Sequence, residues 1–543
     1  MQHIHAQTTK AMLCTAVAIV VFLLASPRNA QAQTVTTIYT FVGGSNSSVN
    51  PYGAIAQGRD GEYYGMTVPG VIYKVSASGT FNILYTLSGT DGQMCNGLML
   101  GSDGNFYGTC FLGGDNGNST GTFFQVTPTG TYKVLHFFDG LHGSGTDGCN
   151  PVALPVQAND GNFYGTAEGC GAVNGGMAYK ITPAGVFTAI HAFAGGATDA
   201  QLPQGTLIQG TDGNFWGTSY QGGQTGSGTV FKMTAAGTVT VVFQFPGCGA
   251  GTTGCNPAAG LVEGTDGNFY GTATGGGTNG QGVVFKITPG GLYTVIHNFD
   301  KATDNGAYPA LPLTLGTDGN FYGIGSDCPG GGCGQADIFA ITSKGVFTDI
   351  YNFPLFGGNN NSVPLTPLLL GTNGTFYSAT EAGGNGSGSF FSLVDGQSPF
   401  ISLTAASGKV GSQIGILGQG FSSSSVVKFN GVAASKKLTG STFLTAIVPA
   451  GASSGFVTVS TGSTTLTSRQ KFIVHNSWGA GKAIPTPVAA TASGFINNKV
   501  YVVSGIKAQG TAPVSNTQIY NPATNSWTEP LFRHRSWPRP ARS

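Results

Sequence analysis

Between residues 257 and 299 the hydrophobic pattern changes four times. An apolar segment at 257–263 leads into Asp266-Gly267, a pair that favours a tight hairpin. A second strand reads over 268–273, a glycine-rich loop over 274–282 and a third strand over 283–287. After Pro289-Gly290-Gly291 a fourth strand reads over 292–299. The succession recurs along the chain, with third strands at 71–75, 123–126, 177–181, 230–233 and 338–341. Fourth strands recur at 81–87, 132–138, 186–193, 239–245 and 346–353. Four short antiparallel strands in a unit of about 50 residues is the pattern of a propeller blade.

The marker of each unit is the turn that reads GTDGNFYGT at 264–272. Its aspartate falls at Asp60, Asp103, Asp160, Asp212, Asp266 and Asp318, at intervals of 43 to 57 residues, and Asn373 holds the place in a seventh copy. That copy ends after its third strand, near 389–394. Residues 37–41 carry a fourth-strand pattern with no strands before it. They are expected to pair with 390–393 and close a seven-bladed ring, because closure removes exposed sheet edges. An open solenoid is the competing architecture.

Strand order sends the first-to-second and third-to-fourth turns to one end of the ring; both are short. The fourth-to-first and second-to-third connections share the other end, and these are long and variable. Variable loops on a rigid frame are a common way to build a recognition surface, with inert surface loops as the alternative.

Charged residues make up 8% of the 543 positions and the net charge is +1, so no nucleic-acid footprint is expected. Lys10, the apolar run 11–25 and Ala30-Gln31-Ala32 have the order of a secretory signal over 1–32; an uncleaved anchor is the alternative. Export followed by release, with no membrane span after cleavage, is the expectation. Eight of the nine cysteines lie beyond that segment. An even number in an exported chain points to disulfides, and position suggests Cys95–Cys110, Cys149–Cys170, Cys248–Cys255 and Cys328–Cys333. Clustered C-x-x-C pairs of the kind zinc prefers are lacking, so neither a metal nor a cofactor is expected.

The repeated aspartates invite a calcium reading, but each copy supplies one acid, and Asp in a turn can accept backbone amides. His136, His191 and His297 recur two residues before a phenylalanine, which argues for packing. Lys74, Lys180, Lys232 and Lys286 recur in the third strand and are read as solvated edge residues. The non-repeated acids Glu168, Asp199, Glu263, Asp327 and Glu381 are placed with the long connections; a glycosidase would need two carboxylates to converge. Arg59 is the only arginine between 33 and 397, too few for a sialidase-like site. Phe269-Tyr270 and their counterparts are assigned to packing between blades, and Gly271 to close approach of neighbouring sheets. No catalytic constellation emerges.

These units resemble the GloVer tandem repeats of bacterial "choice-of-anchor" surface proteins over about 36–397, which implies export and surface display without an assigned activity. More weakly, they resemble the propeller repeats of bacterial ligand-sensing ectodomains. Gln397-Ser398-Pro399 reads as a linker. Residues 398–475 alternate as a small β-sandwich and resemble the IPT/TIG immunoglobulin-like family at Gly418-Gln419-Gly420-Phe421 and Val448-Pro449-Ala450-Gly451. Residues 476–530 resemble a single kelch repeat, with Asn-Ser-Trp at 476–478 and 525–527, and 531–543 form an irregular basic tail. The chain is thus expected to be all-β, monomeric and non-catalytic. The expected role is an exported module that binds extracellular polysaccharide or a surface protein; a polysaccharide-acting enzyme on the same face is the alternative.

Overall fold

The computed structural model describes residues 33–43, 49–68, 70–114, 120–139, 147–171, 174–249, 251–304, 306–326, 336–353, 364–381, 387–475, 492–496, 499–506, 513–521 and 526–528. Among them the chain is all-β; the single helical element is a 3-10 turn at Gly196–Thr198. The repeats form a β-propeller. Among the described residues seven antiparallel sheets of four or five strands follow one another between Thr34 and Val394, beside two small two-stranded ladders. The first joins Pro51–Gln57, Tyr63–Thr67, Val71–Val75 and Phe81–Thr86 in chain order. The next five keep this order, the second with its first strand split in two. The last joins Leu369–Leu370, Phe376–Thr380 and Ser389–Val394, and takes Thr34–Thr40 as its fourth strand. Thr34 faces Val394 and Thr40 faces Ser389, with a register shift between Thr37 and Tyr39.

Most first strands are shorter than the hydrophobic pattern suggests. Val262–Glu263 alone forms a ladder where an apolar segment runs from 257. Pro257 has no N–H to give to a ladder, and Ala259 and Leu261 are buried without being part of a strand.

The Phe-Tyr pair of each repeat explains how the sheets hold together. The second ring of one sheet packs on the first ring of the next: Tyr64 on Phe106, Tyr107 on Phe163, Tyr164 on Phe215, Trp216 on Phe269, Tyr270 on Phe321 and Tyr322 on Phe376. Tyr377 of the last sheet then packs on Tyr63 of the first, at 3.9 Å between centroids. Offset and tilted ring pairs of this kind add about 0.5–1.5 kcal/mol each beyond their buried area. A second belt lies further out, where Tyr39 stacks on Phe81, Tyr85 on Tyr132, His136 on Phe187, Phe243 on Tyr293 and His297 on Phe347.

The glycine that follows the ring pair in all but the last sheet, where Ser378 stands, makes room within its own sheet. Gly271 faces Phe285 on the adjacent strand, and a Cβ there would lie 2.7 Å from both the Phe285 ring and Leu261. Gly271→Ala is expected to cost about 1–3 kcal/mol through this overlap; a urea unfolding midpoint unchanged from wild type would contradict it.

Beyond the ring, two four-stranded sheets enclose a separate core at 402–467 that includes Ile416, Val427, Phe429, Leu444 and Val459. A parallel pair, Ser407–Lys409 with Ile473–His475, flanks them. The final described strands, Ala492–Ile496 to Ser526–Thr528, make one more four-stranded antiparallel sheet.

Candidate functional site

The two ends of the ring differ in what they leave free. At the short-turn end the repeated aspartates build the turns. Asp266 Oδ1 accepts the Asn268 N–H at 3.2 Å, and Oδ2 accepts the Asn268 side chain at 2.7 Å and the Tyr270 hydroxyl at 2.8 Å. Asp103, Asp160 and Asp318 repeat all three contacts. Asp60 accepts the Glu62 N–H and Tyr64 hydroxyl, and Asp212 accepts Asn214 and the Trp216 indole N–H. Asn373 reverses one contact and donates to the Tyr377 hydroxyl. Each carboxylate is thus occupied by its own turn and the ring that follows it.

The recurrent lysines are not edge residues. Lys74 and Lys286 stand on third strands, between the second and fourth, where Lys74 reaches Glu62 at 2.6 Å and Lys286 reaches Asp266 at 3.2 Å. Lys232 lies 5.6 Å over the Trp216 ring of the neighbouring strand.

A polar ring missed in the sequence runs just inside these turns. The last first-strand residue accepts a backbone N–H from the preceding sheet's turn: Gln157 from Ser102, Gln209 from Asn159, Glu263 from Thr211 and Gln57 from Thr372. Glu263 therefore sits at the short-turn end and not with the long connections, because it immediately precedes the hairpin. Burial raises its pKa above the usual carboxylate range. Gln397 fills the same role from outside the repeats, accepting the Thr317 N–H at 2.7 Å and donating to the Tyr322 hydroxyl at 2.8 Å. The expected linker at 397–399 is accordingly packed into the ring by this buried amide.

The two-sheet unit at 402–467 and its flanking strands lie over this end and reach five of the seven sheets. Thr442 donates to Arg59 O, Asn159 Oδ1 accepts the Ser407 N–H, Gln470 donates to Glu263 O, Arg469 to Leu315 O, and Gln419 to Thr372. Arg59 lies 4.3 Å over the Phe443 ring, and Arg469 lies 4.6 Å over Phe400. The lone arginine of the repeats is thus an interface residue.

The long-connection end carries the disulfides. Cys95–Cys110, Cys149–Cys170 and Cys248–Cys255 are bonded; Cys328, Cys333 and Asp327 lie outside the described residues. A second device anchors the same connections. An outer-strand ring residue meets a loop aspartate: His136 with Asp147 at 3.0 Å, His191 with Asp199 at 3.0 Å, His297 with Asp304 at 2.9 Å, and the Tyr85 hydroxyl with Asp91 at 2.9 Å. Each aspartate also accepts a backbone N–H where its loop begins, from Asp139, Ala194, Asp300 and Ser88. Burial alone would raise the carboxyls of Asp147 and Asp199, but hydrogen bonds from the histidines and these amides outweigh it and hold both below the usual range. The histidines are therefore structural, and Asp199 belongs to the anchoring set.

Two glutamates remain at this end at corresponding places, each directly after a second strand. Glu168 accepts the Gln204 amide at 2.7 Å from the next sheet. Glu381 stands near Tyr52 of the first sheet, whose hydroxyl is pushed up by burial and by that carboxylate. Tyr52 is 36% exposed, so two separate junctions at this end each present an acid, Glu168 with Gln204 at one and Glu381 with Tyr52 at the other. Among the described residues no group of three His, Cys, Asp or Glu side chains is placed to hold a metal, and no helix is long and apolar enough to cross a membrane.

A family model for the Gloeobacter/Verrucomicrobia repeat matches residues 118–335 and 249–414, together more than half of the chain. The chain belongs to the Gloeobacter/Verrucomicrobia repeat family. No curated protein matches it. Among solved structures, the Gloeobacter/Verrucomicrobia repeat chain is similar to the extracellular domain of a putative hybrid two-component system from B. thetaiotaomicron. The identity is 12% and the TM-score 0.43, over 81% of this chain and 58% of that one. It is also similar to the WD40 β-propeller domain of Doa1, at 11% identity and a TM-score of 0.44, over 66% of this chain and 97% of that one. A third likeness, to oligogalacturonate lyase from Vibrio parahaemolyticus, has 11% identity and a TM-score of 0.38, over 66% and 98% of the two chains. The chain spans only 58% of the first of these.

Proposed function

We propose that this protein is an exported, non-catalytic binding module whose ligand, a carbohydrate or a surface protein, sits on the long-connection end of a closed seven-bladed propeller. In this reading residues 1–32 are a signal peptide, 33–397 the propeller, 398–475 an immunoglobulin-like sandwich and 476–530 a single kelch-like unit. The observation that carries it is the asymmetry of the ring. Contacts from the sandwich engage the short-turn end at Arg59, Asn159, Glu263, Leu315 and Thr372. The opposite end has connections held by three disulfides and four aspartate anchors. Loops ordered before binding lose less entropy when a ligand arrives. Disulfides also persist in oxidising compartments, which supports export.

The test is a glycan array and a surface-protein pull-down with the secreted chain, alongside hydrolase and lyase assays on the glycans retained. Retention without turnover, weakened by Tyr52→Ala and Glu168→Gln, is the expected result. Turnover lost in both Glu168→Gln and Glu381→Gln would overturn the non-catalytic reading. Retention of no glycan and no protein would remove the binding role.

A further inference from the structure

A cavity of about 360 Å³ lies between the repeats and the sandwich, away from the proposed binding end. Its walls are half polar and half apolar, the apolar part including Leu313 and Leu369 from two adjacent sheets of the ring and Ile401 and Ala406 from the other side. Its charged lining groups are Arg469 and Lys471, and no acid is among the lining residues. The Arg469 guanidinium lies against the Phe400 ring and donates Nη1 to Leu315 O at 2.6 Å. Among the described residues no carboxylate lies within ion-pair distance of it. Glu263, next in sequence to the lining residue Val262, directs its carboxylate away to Thr211 of the preceding sheet.

Arg469 is partly withdrawn from water, a position that disfavours a cation without a counter-charge, and pairing recovers part of that cost. A guanidinium with spare N–H groups suits a carboxylate geometrically, since two parallel N–H···O bonds can form. The volume is in the range of small-molecule pockets, about 300–1,000 Å³. We propose that this interdomain cavity binds a small organic monoanion, a carboxylate carrying a short aliphatic chain, with the carboxylate on Arg469 and the chain against Leu313, Leu369 and Ile401. Such a ligand bridges the two units, so its binding stiffens their junction. The site is independent of whatever the long-connection end takes.

Octanoate is a suitable probe, with 1-octanol as its uncharged counterpart, each titrated into the secreted chain while the thermal midpoint and the heat of binding are followed. The expected result is a saturable rise in midpoint with octanoate and none with 1-octanol. Arg469→Gln should weaken octanoate binding by about tenfold or more, the loss of one charge-assisted bidentate pair. Ala406→Trp, at the exposed rim, should block the cavity and abolish binding while leaving the circular dichroism of the free protein unchanged. It serves as the decisive variant if Arg469→Gln does not fold. The proposal is overturned by absence of saturable binding, by an equal response to 1-octanol, or by undiminished octanoate binding in either variant.

Discussion

Phe41→Ala is expected to lower stability by about 3–5 kcal/mol, the cost of emptying a fully buried aromatic site, although the residue follows a strand at the very start of the described chain. Phe41 is 0% exposed and touches Tyr39, Tyr73 and Phe81, while its N–H reaches Gly388 O at 3.0 Å. It joins the last sheet to the first. Phe138, Phe193, Phe245, Phe299 and Phe353 make the corresponding contact at other junctions, on Tyr179, Phe231, Phe285, Phe339 and Phe391. If the ring is closed, Phe41→Ala and Phe299→Ala should lose comparable stability in urea titrations. A loss below about 1 kcal/mol at Phe41, with the full loss at Phe299, would show that the junction carries little of the fold.

Asp337→Asn is expected to do the opposite, and to do so as a function of pH. Asp337 is the second residue of the third strand of the sixth sheet, Ala336–Ile341, at the place where the other sheets have Val71, Thr122, Met177, Thr229, Val283 and Ser389. It is 0% exposed, and neither carboxyl oxygen has a hydrogen bond of good geometry. Gly306 and Gly325 leave the room it occupies, and Asn352 faces it across the ladder. Burial, then the nearby Asp349 and Asp304, outweigh the weak pull of backbone amides and push its pKa to about 8. Asp304 is itself engaged by His297. The folded state therefore keeps a proton that the unfolded chain releases above its ordinary value near 3.8. Stability falls as pH rises from about 4, by up to about 1.4 kcal/mol per unit, and levels off above about 8. Asparagine has no such proton to lose. The variant should match wild type near pH 4 and exceed it increasingly up to pH 8. Parallel stability curves for the two proteins between pH 5 and 8 would sink this account.

The repeat was legible because its marker is local. A turn aspartate, a glycine with positive φ and a ring four residues beyond the aspartate sit at fixed offsets, so the short turns and the packing of the Phe-Tyr pairs could be read from residue order. The loop anchors were not legible for the same reason in reverse. The aspartate follows its ring partner by 6, 11, 8 and 7 residues in the four cases, and a variable interval leaves no pattern to align. An acid within a dozen residues after each outer-strand His or Tyr was the available signal. The polar ring inside the turns had a clearer trace, since Gln57, Gln157, Gln209 and Glu263 each stand three residues before a turn aspartate. Glu263 looked like a free acid only because its counterparts are amides. The covering of the short-turn end had no local trace, because Arg59 meets Phe443, and Arg469 meets Leu315, only in the folded chain.

The pairing of Thr34–Thr40 with Ser389–Val394 has a consequence for timing. A chain that emerges amino end first presents this strand hundreds of residues before its partner exists. Ordering each sheet on its own needs only nearby sequence, whereas this last ladder must wait for the final repeat, and long-range pairings of this kind are slow. The strand's composition suits the delay: four of its seven residues are threonine, so it can remain hydrated without inviting aggregation until the final repeat arrives to receive it.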